Sequence, residues 1–237
     1  MFSENYWRRQ RFKLLYVLFI SFGMPALLIG FFALYLAIYE PNRLFRDRPP
    51  EAQKAVDPLE SPTFFIRQDA LSKLASGPVD RSRRDIVDKV KPLIKDSNFQ
   101  IQDTAIDVLG KWGSPEDAAA LRELAQDRFS VFVRPQICAA LSKIGGDASC
   151  EALVDILGMG DTEREHAQNA LAQCGPVAED VLLRRGESAD PALKRVICLA
   201  LEQLGTEKCI SFLTTAADDT DMGVSTAAKQ ALAKIAR

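Results

Sequence analysis

The chain has 237 residues, 26% of them charged, and a formal net charge of −2. The charge is unevenly distributed, because residues 97–237 carry 14 basic and 21 acidic side chains. Nucleic-acid binding requires a basic surface that neutralises phosphates, so this composition argues against a nucleic-acid partner.

An uncharged run of 26 residues lies near the N-terminus, at residues 14–39. As a helix with a rise of about 1.5 Å per residue, the run reaches roughly 39 Å, which is enough to cross a hydrocarbon core of about 30 Å with tilt. A cleaved signal peptide is the alternative, but the apolar part is too long for one and no clear Ala-x-Ala site follows. The sequence therefore predicts an uncleaved transmembrane helix over 14–39, preceded by a basic tail over 1–13.

Basic residues beside this run suggest its orientation. Four precede it and three follow it, namely Arg8, Arg9, Arg11 and Lys13 against Arg43, Arg46 and Arg48. The positive-inside rule then favours an inside N-terminus and repeats outside the cytoplasm, in a bacterial-type inner or plasma membrane. Free cysteines in the remainder of the chain argue for the other side, so both orientations stay open.

Small residues recur on one side of the predicted transmembrane helix, at steps of three and four: Gly23, Ala26, Gly30, Ala33 and Ala37. Small side chains allow two helices to approach closely in a membrane. The spacing predicts a packing seam for a second copy or for another helix. The alternative is that glycine and alanine are simply common in membrane helices.

A linker and a repeat domain follow this segment. Five prolines between residues 40 and 62 prevent a continuous helix and predict an extended linker over 40–62. Beyond it, a six-residue block of the type Ala-Leu-x-x-Leu-Gly occurs six times, ending at residues 75, 110, 145, 175, 205 and 236. A regular period of 30 to 35 residues indicates stacked structural repeats, so 63–237 is predicted to be one repeat domain.

Each block is predicted to end an amphipathic helix. The third copy has apolar residues spaced by three and four positions, which places them on one side of a helix: Ile137, Ala140, Leu141 and Ile144. Four glycines, at 110, 145, 175 and 205, are predicted to end these helices in the left-handed conformation.

Shorter helices are predicted between the block helices. The clearest begins at Ser114 with a cap, a proline and an acidic first turn, and continues to Leu124. Others are predicted over 148–157, 176–183 and 206–213, and an earlier one over 79–95 with a bend at Pro92. The chain is therefore expected to be all-α, with about five to six helix pairs.

The run from Val133-Arg134 to Gly145 resembles the HEAT-repeat family, in particular the short repeats named after phycobilisome lyases. The resemblance extends over about residues 63–237. It implies a right-handed α-α solenoid preceded here by one transmembrane helix. It also implies a structural role for the arginine, which pairs with the acidic turn of a neighbouring repeat. The same position holds Arg164 and Lys194 in the next two copies, and Phe64, Phe99 and Ser225 in the copies that depart from the pattern.

In such arrays the second helix of each pair lines the concave surface, where partners bind. The outward positions of these helices are predicted to form a partner-binding groove of Lys73, Asp107, Lys143, Asn169, Gln173, Glu202, Gln203 and Lys234. Charges of both signs alternate along this line and no aromatic ladder appears. This pattern fits a protein or peptide better than a phosphate polymer, and a merely solvated surface is the alternative.

No catalytic motif for nucleophilic, phosphate-binding or metal-dependent chemistry occurs in the sequence. The single histidine, His166, is predicted to lie on the surface. The five cysteines form no Cys-x-x-Cys pair and are expected to be small buried side chains, so no cofactor or metal is predicted.

These observations predict a membrane-anchored, non-catalytic scaffold that binds a protein partner. One alternative is a structural subunit of a membrane complex, assembled through the transmembrane helix. A more distant alternative, which the resemblance alone implies, is an enzyme of the bilin-lyase type.

Overall fold

The computed structural model describes residues 57–235. The predicted basic tail, the run at 14–39 with its seam from Gly23 to Ala37, and the linker up to residue 56 lie outside the described residues. The described part contains eleven α-helices and no strand. The helices are α1 Phe64–Ser76, α2 Arg84–Val90, α3 Phe99–Trp112, α4 Ala118–Gln126, α5 Arg134–Ile144, α6 Gly146–Leu157, α7 Asp161–Cys174, α8 Pro176–Glu187, α9 Pro191–Leu204, α10 Ile210–Ala217 and α11 Met222–Ile235.

The predicted fold class is wrong in its transmembrane helix. Among residues 57–235 no helix is long and apolar enough to cross a membrane. The longest of these helices have 14 residues and so span about 21 Å, short of a hydrocarbon core of about 30 Å. The same finding corrects the predicted localisation as a single-pass membrane protein. The all-α repeat solenoid itself is confirmed.

The eleven helices form two layers that alternate along the chain. Each odd-numbered helix contains one copy of the repeated block, and we call these the block helices; the even-numbered ones are the intervening helices. The block helices α1, α3, α5 and α7 stack in sequence order, and α9 stacks on α11. The intervening helices α4, α6 and α8 stack beside them. Since short loops make successive helices antiparallel, stacked block helices begin at the same edge of their layer.

The repeated block supplies the apolar contacts within its layer. Its alanine is buried in five copies, at Ala105, Ala140, Ala170, Ala200 and Ala231. The leucine or isoleucine that follows is fully buried in each of the first five copies, and burial of one such side chain contributes about 2 kcal/mol. The repeated block is therefore a packing element of its layer.

Glycine ends only two of the four block helices in the predicted way. Gly145 and Gly175 have φ angles of 71° and 68°, in the left-handed region. The prediction is wrong for Gly110, which lies inside α3, and for Gly205, whose φ is −68°. A Cβ on Gly110 would lie 2.7 Å from the Cα of Ala140. At this position the close approach of α3 and α5 requires glycine.

The intervening helices follow the prediction with small shifts at their ends. The first begins at Arg84, later than predicted, and continues as a 3-10 helix over Lys91–Lys95. Pro92 accounts for this change, because its nitrogen cannot donate the hydrogen bond that α-helical geometry needs. The predicted cap lies at the 3-10 turn Pro115–Asp117 that leads into α4, where the Asp117 carboxylate accepts a hydrogen bond from the backbone N–H of Ser114 at 2.8 Å.

Candidate functional site

The eight residues of the predicted groove all lie on block helices. Six of the eight are exposed, and Asp107 and Glu202 are half-buried. Five of the eight occupy the fourth position of the repeated block, Asp107 and Glu202 occupy the third, and Asn169 directly precedes the block. We call the set the block-helix face: Lys73, Asp107, Lys143, Asn169, Gln173, Glu202, Gln203 and Lys234.

Two ion pairs join neighbouring block helices across this face. The Nζ of Lys143 lies 2.6 Å from Oδ1 of Asp107 and joins α5 to α3. The Nζ of Lys234 lies 3.8 Å from Oε1 of Glu202 and joins α11 to α9. Lys73 pairs instead with an aspartate of its own helix. The structure therefore brings four of the eight predicted residues together, in two pairs.

The other polar residues of the face form few hydrogen bonds within the described domain. Gln173 Oε1 accepts a hydrogen bond from the hydroxyl of Ser142 at 3.1 Å. Asn169 and Gln203 are exposed, and their side chains form no hydrogen bond within residues 57–235. These positions leave amide groups accessible to a partner.

Arg81 reaches the end of the same layer from the loop between α1 and α2. Its Nε and Nη2 lie 3.4 Å from the carbonyl oxygens of Lys111 and Lys143, near the C-terminal ends of α3 and α5. A cation is favourable there because of the helix dipole. Sequence reasoning missed this contact, because Arg81 lies 30 positions before Lys111 and 62 positions before Lys143.

Four exposed phenylalanines lie in the first turn of α1 and of α3 and in the 3-10 helix Arg128–Val133 that precedes α5. Phe65 is 77% exposed, Phe99 52%, Phe129 76% and Phe132 82%. Because stacked helices are about 10 Å apart, the starts of these three helices extend over roughly 20 Å. We call these four residues the phenylalanine edge. Sequence reasoning missed it, although Phe99 was noticed as a departure from the repeat pattern.

In three repeats, an ion pair connects the first turn of the block helix with an acidic residue of the next repeat. Arg134 Nη1 lies 2.7 Å from Glu163, and this contact holds the pKa of Glu163 below its usual value. Lys194 pairs with Asp219 at 3.1 Å. The structural role that the resemblance implies for Arg134 is thus observed.

In the first repeat Arg67 forms the corresponding ion pair, with Asp96 at 3.2 Å. It lies one turn further along its own helix than Arg134 does in α5. Arg164 pairs instead with Asp161 of its own helix at 2.6 Å. The ion pair between repeats therefore depends on which basic residue reaches the next acidic group, and the repeat pattern alone does not specify it.

The side chains with potential for chemistry are mostly enclosed. Burial raises the pKa of Cys138 to about 12 and that of Cys198 to about 11, so both remain thiols. Of the five cysteines only Cys174 is not fully buried. His166 is exposed, as predicted. Among residues 57–235 no group of three or more His, Cys, Asp or Glu side chains is arranged to hold a metal ion.

A family model described as HEAT repeats matches residues 87–172, which extend from α2 into α7. The described domain is a helical repeat solenoid. The shorter phycobilisome-lyase type of repeat, which the sequence suggested, receives no support from this match. No curated protein matches the chain.

Several solved structures are similar to this solenoid. A designed armadillo repeat protein is 18% identical, covers 76% of this chain and 98% of its own, and has a TM-score of 0.40. An engineered protein from a structural genomics consortium is 24% identical, with coverages of 78% and 96% and a TM-score of 0.41. A second designed armadillo repeat protein, in complex with the peptide (KR)4, is 18% identical, with coverages of 76% and 97% and a TM-score of 0.42.

Proposed function

We propose that the chain is a non-catalytic scaffold that binds a protein partner through its block-helix layer. The observation that carries this proposal is the phenylalanine edge. Large aromatic side chains provide much of the binding energy in protein interfaces. Four of them, more than half exposed and placed along one edge of three successive repeats, contribute little to the core. Their placement favours contact with apolar side chains of another protein.

The block-helix face supports the same proposal from its charges. The pair between Asp107 and Lys143 has side chains that are 39% and 43% exposed, and such pairs contribute little to stability, about 0 to 1 kcal/mol. A partner can therefore replace these contacts at low cost in free energy. The proposed partner is a protein segment that presents apolar side chains to the phenylalanine edge and polar groups of both signs to the face.

The alternatives from the sequence have less support. A structural subunit assembled through a transmembrane helix has no support, because no helix among residues 57–235 could cross a membrane. A bilin-lyase-like enzyme would need a reactive group, and the cysteines of the described domain are enclosed, with Cys174 as the exception. Repeat solenoids more often serve as binding surfaces than as enzymes.

The proposal is tested with a photo-crosslinking amino acid in the full chain. Placed at Phe132, it should capture one discrete partner, whereas the same group at the exposed Thr214 of α10 should not. The partner is then purified and its Kd measured with wild-type protein and with Phe99→Ser and Phe132→Ser. We expect each variant to weaken binding by at least about 1 kcal/mol, roughly fivefold in Kd.

The matched control is Met222→Ser. Met222 is 86% exposed at the start of α11, so this variant also removes an exposed apolar side chain, but in the last repeat. It should leave the Kd unchanged. Equal cross-linking from both positions, or unaltered affinity of both phenylalanine variants for the purified partner, would refute the proposed binding surface.

A further inference from the structure

A cavity of about 390 Å³ lies between the last two intervening helices, beside the final turn of α8 and along α10. The two helices touch where the tip of the Phe212 ring meets the backbone of Gly186. A Cβ on Gly186 would lie 2.5 Å from Cζ of that ring, so this contact needs a residue without a side chain. Small-molecule sites have volumes of roughly 300 to 1,000 Å³, and the cavity is therefore large enough for a small ligand.

Both apolar and polar side chains line the cavity. Leu183, Phe212 and Ala216 supply apolar surface, and Ser211 and Thr215 supply hydroxyl groups. Ser211 and Thr215 are exposed, so the cavity opens to solvent along α10. An apolar lining with a few polar groups suits a ligand that has an apolar body and one polar end.

The charged side chains of the cavity are paired with one exception. Lys194 lies 3.1 Å from Asp219, and Lys208 lies 3.5 Å from Asp180. Glu187 also lines the cavity and is exposed, and its carboxylate forms no ion pair or hydrogen bond within the described domain. The charge that remains without a partner at this site is therefore negative.

The helix ends and the aromatic ring favour a cation as well. α8 ends at Glu187 and α10 ends at Ala217, and the C-terminal end of a helix carries partial negative charge that attracts cations. A cation is also attracted to the face of an aromatic ring within about 6 Å, and Phe212 supplies a ring in the lining. These features select a positively charged group over a negative one.

We propose that this cavity binds small organic ammonium ions with an apolar body, such as arylalkylamines. The ammonium group donates hydrogen bonds to the Glu187 carboxylate, and the apolar body packs against Phe212 and Leu183. A bound ligand contacts both α8 and α10 and so connects two neighbouring repeats. The site shares no residue with the phenylalanine edge, so it does not depend on the proposed scaffold function.

The test uses the isotope-labelled full chain and phenethylammonium as the probe. Amide NMR signals of Gly186 and Phe212 should shift on titration, with a Kd on the order of 1 mM, as expected for a ligand of about nine heavy atoms. Phenethyl alcohol has a similar shape without the charge and should bind about threefold more weakly. Phenylacetate, which carries the opposite charge, should bind more weakly than the alcohol.

A variant at the carboxylate tests the selection by charge. Glu187→Gln keeps the shape of the side chain and should weaken phenethylammonium binding about threefold, while the Kd of phenethyl alcohol should stay the same. The matched control is Glu207→Gln, because Glu207 is exposed in the turn before α10 but does not line the cavity. This control should leave both Kd values unchanged.

A second variant tests the location. Thr215→Phe places a ring at the cavity lining and should abolish the shifts caused by phenethylammonium and by the alcohol. Thr214→Phe adds the same ring at the preceding exposed position of α10, outside the lining, and should bind like the wild type. Circular dichroism checks that each variant is folded.

Three outcomes would overturn the proposal. One is equal affinity for the three probes, because the cavity would then not select a cation. Another is an unchanged Kd for phenethylammonium in Glu187→Gln. The third is a set of shifted signals that excludes Gly186 and Phe212, which would place the probe elsewhere on the protein.

Discussion

Two contacts between repeats, one in each layer of the solenoid, differ in the changes that they tolerate. In the block-helix layer α3 and α5 approach so closely that Gly110 has no room for a Cβ beside Ala140. In the intervening layer α4, α6 and α8 are connected by long charged side chains. Backbone contact tolerates almost no change in side-chain volume, whereas ion pairs tolerate change but depend on salt and pH. One repeat can therefore combine a rigid contact and an adjustable one.

The ion pairs of the intervening layer form a continuous strip. Asp155 accepts from Arg122 Nε at 2.6 Å and from Arg185 at 2.9 Å. Glu151 accepts from Arg185 at 2.8 Å and from Arg184 at 2.7 Å. We call these five residues the charge strip. Three consecutive intervening helices are thus linked through shared carboxylates.

The largest effect should come from filling the close contact in the block-helix layer. Gly110→Leu places side-chain atoms where a Cβ alone would lie 2.7 Å from the Cα of Ala140. The two helices must separate, and we expect a loss of about 3 kcal/mol in the free energy of unfolding by urea. The control Ala139→Leu adds the same side chain at an exposed position of α5. Similar stabilities of the two variants would contradict the rigid contact.

A smaller loss is expected from the buried carboxylate that joins α2 to α4. Asp117 is fully buried, and its oxygens accept from Arg84 at 2.7 Å and from Lys91 at 2.7 Å. Asp117→Asn keeps the shape but removes the charge, and should lower the free energy of unfolding by about 2 kcal/mol at pH 7. The control is Glu116→Asn. Glu116 is exposed in the same turn, so this variant should have little effect on the free energy of unfolding.

The same carboxylate predicts a dependence on pH. Contacts with Arg84 and Lys91 outweigh burial and hold the pKa of Asp117 far below its usual value. Its contribution is therefore complete above the unfolded-state pKa of about 4 and is lost as pH falls further. Between pH 4 and pH 2 the wild type should lose more stability than Asp117→Asn. Parallel decreases in both proteins would show that another group controls acid unfolding.

A change in the charge strip should depend on salt. Arg185→Gln removes two ion pairs whose members are 28% exposed or less. We expect a loss of about 1 kcal/mol at low ionic strength, most of which should vanish in 1 M NaCl, where the screening length is about 3 Å. Lys95→Gln removes a more exposed pair with Glu123 and should change stability little at either salt concentration. A loss that does not respond to salt would indicate packing by the arginine stem instead.

The smallest effect is expected on the block-helix face. Lys143→Gln removes the exposed pair with Asp107, and the free energy of unfolding should change by less than about 0.5 kcal/mol. Urea unfolding measures this directly. A loss as large as that of Arg185→Gln would mean that the face is a structural joint, which would weaken its proposed availability to a partner.

Much of the fold could be predicted from the chain alone. The helix positions followed from the six blocks and from apolar residues at steps of three and four, because one helical turn fixes which side chains share a face. Ser114 was correctly placed as a cap, since capping involves only residues of the same turn. The transmembrane helix of the predicted fold class was wrong for the described domain.

The candidate site was less predictable than the fold. The outward residues of the block helices followed from helical spacing, but their pairing, such as Lys143 with Asp107, joins positions 36 residues apart. The phenylalanine edge was missed because an aromatic residue at the start of a helix is equally compatible with burial. Its exposure depends on how the neighbouring repeat is placed.

The sequence by itself determined the repeat, the alternation of block and intervening helices and the residues that face the core, because these depend on local periodicity. Only the tertiary structure decided which glycine ends a helix and which one admits a neighbouring backbone. Gly145 has a positive φ, whereas Gly110 lies under Ala140. Such contacts depend on distances between helices, and these distances are set by all the side chains of the stack together.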